Sequence, residues 1–214
     1  KIQSVLRKGQ WKVTCAIHSD ESSKQSKIVE IWPGYYEGTI YGMAVDLGST
    51  TIAAHLCDLQ TGEVVASSGT MNPQIRFGED LMSRVSYSMM NSKGDEEMTS
   101  AVRAGMNELF SEVAKEANIN TNLIMDAVFV CNPVMHHLFL GIDPFELGQA
   151  PFALATSNAI STKSSNLELT KMHSSSNVYL LPCIAGHVGA DAAAVALSES
   201  PNTSDDLVLI VDVG

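Results

Sequence analysis

The chain has 214 residues, 45% of them hydrophobic, which is enough for one sizeable core or two unequal ones. Its net charge of -11 disfavours binding along a nucleic-acid backbone, but a single nucleotide stays compatible because backbone N–H groups and a divalent cation can hold phosphates. No apolar run approaches the roughly 20 residues of a membrane span, and no signal peptide or lipidation pattern is present, so we expect a cytoplasmic protein with neither a nucleic-acid nor a membrane partner.

Residues 1–38 predict a small β segment ahead of the main domain. Apolar and polar side chains alternate over residues 11–17, residues 28–32 form a second strand-like run, and the polar stretch between them predicts a turn. Pro33 and Gly34 then break the pattern. We therefore expect a hairpin that is the end of a linker or middle domain, and a separate domain over residues 39–214.

Three strands and two helices are predicted next. Strand patterns over residues 40–47, 51–58 and 64–70 are joined by short turns, which predicts an antiparallel meander. Residues 79–90 and 95–117 then carry apolar side chains at helical spacing. In the second helix these are Met98, Val102, Met106, Leu109, Phe110 and Val113.

Strands and helices alternate in the second half of the chain. Strands are predicted at residues 127–131, 178–181 and 207–213, and helices at residues 133–140 and 189–197. The stretch at 143–177 is rich in Ser, Thr, Asn and Pro and predicts an irregular insertion. Three antiparallel strands followed by parallel strands with helices predict an α/β fold with a ribonuclease-H-like mixed sheet rather than a Rossmann sheet.

The turn after the first strand of the meander carries the clearest chemical motif. Asp46 stands near the end of the strand, and Gly48, Ser49, Thr50 and Thr51 follow in a tight turn. The glycine lets the backbone approach a phosphate, successive N–H groups form an anion-binding concavity, and the hydroxyls add donors. The aspartate would hold Mg²⁺ beside the phosphates, directly or through water. The alternative is an ordinary hairpin turn that contains Gly-Ser-Thr.

The last eight residues repeat this arrangement of apolar strand, aspartate, small apolar residue and glycine, with Asp212 and Gly214. Two such elements a domain's length apart resemble the two phosphate motifs of the actin/Hsp70/sugar-kinase superfamily, whose paired hairpins grip ATP across a cleft. The resemblance implies that Asp46 and Asp212 bind Mg²⁺ and that both motifs contact ATP. It also makes residues 39–214 the first subdomain of an actin-like ATPase domain, truncated at the second phosphate motif.

A third feature lies just upstream, where glycines precede an Ala-rich helix that begins near Asp191. In the sugar-kinase branch an aspartate at this location is the catalytic base, and the resemblance implies that Asp191 orients the attacking water or hydroxyl. Asp46, which would hold Mg²⁺, is the second predicted catalytic residue. The alternative is that Asp191 only complements the dipole of its own helix from the first turn.

Other polar residues predict no additional metal site. His136 and His137 are adjacent on a predicted helix and point about 100° apart, so at most one could face an ion, and structural roles are favoured. The four cysteines are too far apart for cluster-ligand spacing, which predicts buried thiols in a reducing cytosol. In the polar loop at 72–80, Arg76 is the first candidate for a functional side chain.

Five separated blocks together resemble the ATPase region of the reductive activators of corrinoid proteins. They are VDLGSTT, MNPQIRFGEDLMSRV, CNPVMHHLFLGIDP, LGQAPF and LPCIAGHVGADAA, spread over residues 42–214. Members of that family carry an N-terminal [2Fe-2S] domain, a linker and middle domain, and this ATPase, and they couple ATP to the return of Co(II) corrinoid to Co(I). The resemblance implies ATP and Mg²⁺ as ligands, a corrinoid protein of a methyltransferase system as partner, and a [2Fe-2S] cluster in the parent protein only.

The chain begins without Met and stops within a predicted strand, so we expect a piece of a longer protein that is inactive alone, although its parent is an ATP-hydrolysing activator. A homodimer is also compatible with the sequence. Two other functions remain open: a metabolite kinase with Asp191 as base, and a non-enzymatic nucleotide-dependent interaction module. A Cys-x4-Cys-x2-Cys pattern upstream of Lys1 would distinguish the activator from both.

Overall fold

The computed structural model describes residues 2–20, 24–203 and 207–211. A short helix, α1 (Ile2–Lys8), comes first, followed by an antiparallel hairpin of β1 (Val13–Asp20) and β2 (Gln25–Pro33). The hairpin confirms the two strands predicted at the N-terminus. Helix α1 was not predicted, because seven residues are too few for a stable isolated helix and its contact with β2 stabilises it.

The described residues also form a six-stranded mixed sheet. Its strands are β3 (Tyr41–Leu47), β4 (Thr51–Asp58), β5 (Val64–Met71), β6 (Ile124–Cys131), β7 (Ile160–Lys163) and β8 (Asn177–Leu180). The order across the sheet is β5-β4-β3-β6-β8-β7. Strands β3, β4 and β5 are the antiparallel meander, β6 and β8 run parallel to β3, and β7 pairs antiparallel at the edge. The predicted ribonuclease-H-like mixed sheet is confirmed.

Four helices connect the described strands of this sheet or follow them. They are α2 (Leu81–Met90), α3 (Gly94–Glu116), α4 (Pro133–Leu140) and α5 (Ala190–Glu199). Local capping explains two of the starts: Asp80 Oδ1 accepts from Ser83 N at 2.7 Å, and Asn132 Oδ1 accepts from Met135 N at 2.9 Å. Helix α4 ends at Gly141, whose φ of 78° suits glycine. None of the described helices is long and apolar enough to cross a membrane.

One face of the sheet packs on the core and the other is open among the described residues. On β3, Met43, Val45 and Leu47 are buried, whereas Ala44 and Asp46 alternate with them and are exposed. Helix α3 covers the buried face with the residues predicted for it: Met98, Val102, Met106, Leu109, Phe110 and Val113. This alternation places the side chain of Asp46 on the open face, near the carboxyl end of its strand.

The segment at 143–177 was predicted to be irregular, and this prediction is wrong in part. It contains strand β7 and two short 3₁₀ turns, and it contributes four side chains to the core: Leu147, Leu167, Leu169 and Met172. The strand has four residues and polar neighbours, so its sequence pattern is weak. Its pairing with β8 supplies the order that the local pattern lacks: Lys163 pairs with Asn177, 14 positions further along the chain, and Ile160 with Leu180, 20 positions further.

The strand predicted at 207–213 is also absent where the structure describes it. Residues 207–211 have no strand pairing, and Leu207, Leu209 and Val211 are exposed. An apolar strand needs a neighbouring ladder to satisfy its backbone groups, and none of the described strands provides one for this segment. Asp212 and Gly214 lie outside the described residues.

Candidate functional site

The turn between β3 and β4 lies at the carboxyl end of the central strands. Leu47 pairs with Ile52 and β4 begins at Thr51, so residues 48–50 form the turn itself. Asp46, one step before this pair, is registered with Ala53 on β4 and with Val130 on β6. The motif predicted from sequence is therefore assembled at the carboxyl end of a strand with neighbours on both sides, where open α/β sheets commonly bind ligands.

The backbone of this turn is held from one side. The carbonyl of Gly48 accepts from Asn72 Nδ2 at 2.8 Å, that of Ser49 from Arg84 Nη2 at 2.5 Å, and that of Thr50 from Asn72 N at 2.8 Å. By contrast, the N–H groups of Ser49 and Thr50 make no hydrogen bond with any described residue. Unpaired adjacent N–H groups in a turn suit an anion, and an exposed carboxylate beside them suits Mg²⁺ that keeps water and phosphate oxygens as its other ligands.

Asp191 lies in the first turn of α5, half-buried, with its Oδ1 accepting from Ala192 N at 2.9 Å. It lies close to Cys131, the last residue of β6, because a Cβ on Gly189 would be within 2.6 Å of both the Cys131 carbonyl oxygen and Asp191 Oδ1. The Cα partner of Cys131 on β3 is Leu47. Burial raises the pKa of the Cys131 thiol well above its usual value, and the charges of Cys183, Asp191 and Asp46 raise it further. Both carboxylates therefore lie near the same end of the sheet.

Gly189 allows the segment that carries Asp191 to lie against the end of β6. A Cβ at this position would be 2.5 Å from the Cys131 carbonyl oxygen, 2.6 Å from Asn132 Cα and 2.6 Å from Asp191 Oδ1. The backbone φ of -89° is ordinary for any residue, so the requirement here is for space and not for glycine's conformational freedom.

We expect Gly189→Ala to lower the free energy of unfolding by about 1–3 kcal/mol, because two of the three clashes are with backbone atoms that cannot rotate away. Thermal denaturation would measure the loss. Gly69→Ala is the matched control, since its Cβ would meet one atom, Ile52 O, at 3.3 Å. Equal melting temperatures for the two variants would contradict the close approach at Gly189.

The remaining polar candidates do not join the site. His137 is buried and structural: its Nδ1 is 2.7 Å from Pro133 O, and its Nε2 accepts from Ala155 N at 3.0 Å. Arg76 is exposed, with its guanidinium 4.7 Å from the centre of the Phe77 ring, and a functional role for it stays a prediction. Within the described residues no group of three or more His, Cys, Asp and Glu side chains could hold a metal ion.

Sequence reasoning missed Asn72 and Arg84, which contact the turn. Both side chains are fully buried or nearly so, at 1% and 0% exposure. A signal was present in α2, where Arg84 stands three residues after Leu81 and directly before Val85, on the side of the helix that should be apolar. A charged residue at such a position indicates a buried polar contact.

The comparisons with known proteins agree with one another. The family model described as the RACo middle region matches residues 41–201, and the model described as the RACo linker region matches residues 1–38. The corrinoid activation enzyme RamQ of Eubacterium limosum is 33% identical over 178 residues, which cover 83% of this chain and 30% of that protein.

A solved structure of a reductive activator for corrinoid, iron-sulfur protein superposes with a TM-score of 0.87 at 31% identity, covering 95% of this chain and 32% of that one. The chain thus spans about a third of the length of both relatives. Because one family model covers most of the sequence, and because the resemblance read from five separated motifs agrees with it, the chain belongs to the RACo family of corrinoid activators, in its linker and middle regions.

Proposed function

We propose that this chain binds ATP with Mg²⁺ at the β3–β4 turn, as part of an activator that returns the Co(II) form of a methyltransferase system's corrinoid protein to Co(I). The observation that carries the proposal is the pair of unpaired N–H groups at Ser49 and Thr50 beside the exposed carboxylate of Asp46. The relatives' names, which specify corrinoid activation and reductive activation, support the reaction and the partner.

Each residue of the turn has a separate role in this proposal. The N–H groups of Ser49, Thr50 and Thr51 and their hydroxyls bind phosphate oxygens, and Gly48 keeps the backbone close to them. Asp46 holds Mg²⁺ against the same phosphates. A second motif with Asp212 and Gly214 would close on the nucleotide from the other side; for these residues the support is the sequence resemblance alone.

Asp191 is the proposed catalytic residue that orients the attacking water or hydroxyl at the terminal phosphoryl group. Its support is its location at the same end of the sheet as Asp46, together with the close approach at Gly189 that fixes its segment. Hydrolysis of ATP to ADP and phosphate would then drive closure of the domain on its partner.

The electron is proposed to come from a [2Fe-2S] domain outside this chain, since the four cysteines described here are free and unclustered. Free thiols also fit a cytoplasmic location. The two family models adjoin between residues 38 and 41, which supports our division into a linker segment, residues 1–38, and a nucleotide-binding segment from residue 39. Within the part of the chain that the structure describes, the contacts between the segments include Glu30 with His173 at 3.0 Å and His18 with Asp126 at 3.7 Å.

The test is Asp46→Asn in the full-length activator with its cluster intact. We expect the rate of Co(II) to Co(I) reduction of the corrinoid protein, followed by its absorbance spectrum, to fall by about 100-fold or more, because the variant keeps the shape of the side chain and loses the charge that binds Mg²⁺.

Glu63→Gln is the matched control. This exposed carboxylate lies in the β4–β5 connection, at the other end of β4 from the phosphate turn, and should tolerate the same chemical change. Reduction at the wild-type rate by the Asp46→Asn protein would refute the role of Asp46. Normal nucleotide binding with failure to reduce any corrinoid protein would refute the proposed partner instead.

A further inference from the structure

Arg84 is a buried cation behind the proposed phosphate turn. Its side chain is fully buried, and among the described residues no carboxylate lies within ion-pair distance of the guanidinium. Burial lowers the pKa of Arg84, and the charge of Asp80 partly opposes that effect. Because an arginine stays protonated at neutral pH even so, the fold carries, beneath the turn, a positive charge that has no ion-pair partner among the described residues.

The guanidinium connects the turn to two other segments. Nη2 donates to Ser49 O at 2.5 Å, Nε donates to Gly78 O at 2.9 Å, and Nη1 faces Gln74 Oε1 at 3.5 Å. Gln74 is itself fully buried and donates to Met98 O at 3.0 Å. Arg84 therefore belongs to a satisfied buried polar network, which specifies geometry more sharply than apolar packing would.

The direction of these bonds determines where the N–H groups of the turn point. In a trans peptide the C=O and the following N–H point in opposite directions. Drawing the carbonyls of Gly48, Ser49 and Thr50 towards Asn72 and Arg84 therefore turns the N–H groups of the next residues away from the protein. Two of those N–H groups, at Ser49 and Thr50, have no partner among the described residues, as a bound anion would require.

We propose that Asn72 and Arg84 are positioning residues for the phosphate turn, and that the buried charge of Arg84 increases its affinity for a highly charged anion, a nucleoside triphosphate above a diphosphate. This inference rests on the proposed nucleotide site. The cation acts through the Ser49 peptide: a carbonyl that accepts from a charged donor is polarised, so the Thr50 N–H at the other end of the peptide is a stronger donor.

The test compares two variants of the full-length activator by calorimetric titration with Mg·ATP and with Mg·ADP. We expect Arg84→Gln to weaken ATP binding by about tenfold and ADP binding by less, because glutamine can still donate to a carbonyl but carries no charge. We expect Arg84→Lys to weaken ATP binding by less than Arg84→Gln does, because an ammonium supplies a positive charge and a donor to Ser49 O even though it cannot replace every bond of the guanidinium.

Asn72→Ser provides a milder variant in case Arg84→Gln does not fold. Serine can still accept from Gln74 N, as Asn72 Oδ1 does at 2.9 Å, while the donor to Gly48 O is lost. We expect its ATP affinity to fall by about three- to tenfold. Wild-type ATP affinity in Asn72→Ser would overturn the positioning role.

Arg103→Gln is the matched control for loss of a largely buried arginine. Arg103 donates to Phe139 O through Nε and Nη2, at 3.1 and 3.0 Å, and pairs with Glu168, none of which contacts the turn. We expect it to lower stability and leave nucleotide affinity unchanged.

Equal ATP affinities in Arg84→Gln and Arg84→Lys would overturn the charge role. If the wild-type protein bound no nucleotide, the proposed site itself would be refuted. This outcome differs from the two that overturn the positioning role of Asn72 and the charge role of Arg84.

Discussion

Phe129→Ala is expected to lower the free energy of unfolding by about 3–5 kcal/mol, a large part of the stability of a typical domain. Phe129 is fully buried on β6, and its ring stacks on Phe139 with centroids 4.7 Å apart and lies 6.4 Å from the ring of Phe110. The substitution therefore removes an aromatic contact to α4 and one to α3, and it leaves a cavity at the centre of the sheet. Urea denaturation followed by circular dichroism would measure the loss.

Val128→Ala is the control on the same strand. Its side chain points to the open face and is 39% exposed, so we expect a loss below about 1 kcal/mol. If the two variants unfolded at the same urea concentration, the assignment of buried and open faces of the sheet would be wrong. The comparison matters for function because the same alternation places Asp46 on the open face.

The elements whose patterns are local were predictable from the sequence. Strands β3, β4 and β5 alternate apolar and polar residues and are joined by short turns, and each was predicted to within one residue at its ends. The apolar face of α3 was predicted residue by residue, because a 23-residue helix shows its period several times over. The fold class followed from the order of these elements.

The elements that depend on distant partners were not predictable. Helix α1 depends on its contact with β2, and β7 on its pairing with β8. The apolar segment at 207–211 shows the converse, since a strong strand pattern forms no strand where the described chain offers no ladder.

The candidate site divides in the same way. The order of Asp46, Gly48 and Ser49 is local and could be recognised from the motif. Asn72 hydrogen-bonds Gly48 across 24 residues, and Arg84 reaches Ser49 across 35 residues. The apolar side of α2 indicates that Arg84 is buried, but no local pattern identifies the distant carbonyl that it contacts. The hydrogen bonds that hold a ligand-binding turn in place thus come from residues distant in the chain, even when the turn itself is a recognisable sequence motif.

Replacement of His136 by leucine is expected to make the folded chain less sensitive to acid. The side chain of His136 is fully buried, and neither ring nitrogen has a hydrogen-bond partner among the described residues. Burial, with a smaller effect from the neighbouring His137, lowers the pKa of His136 from 6.5 to about 4. Between these values the unfolded chain binds a proton that the folded chain does not, so stability falls as the pH falls through this window and the effect ends below it.

The size of the effect follows from the shift: a change from 6.5 to about 4 corresponds to about 3 kcal/mol of stability that is present near neutral pH and lost by pH 4. Leucine also removes two unsatisfied buried nitrogens, so we expect His136→Leu to be at least as stable as wild type at pH 7. Urea denaturation at pH 7, 5.5 and 4.5 would measure the difference between the two chains, which should widen by about 2 kcal/mol over this range.

His55→Gln controls for the loss of a histidine as such, because His55 is exposed on β4 and bonds only Ser67 among the described residues, at 2.7 Å. We expect His55→Gln to keep the acid sensitivity of the wild-type chain, because this substitution leaves the buried ring of His136 in place. If His136→Leu kept that sensitivity as well, the buried ring would have to accept a proton inside the fold, which requires a hydrogen-bond acceptor or water at a position where the surrounding core is apolar.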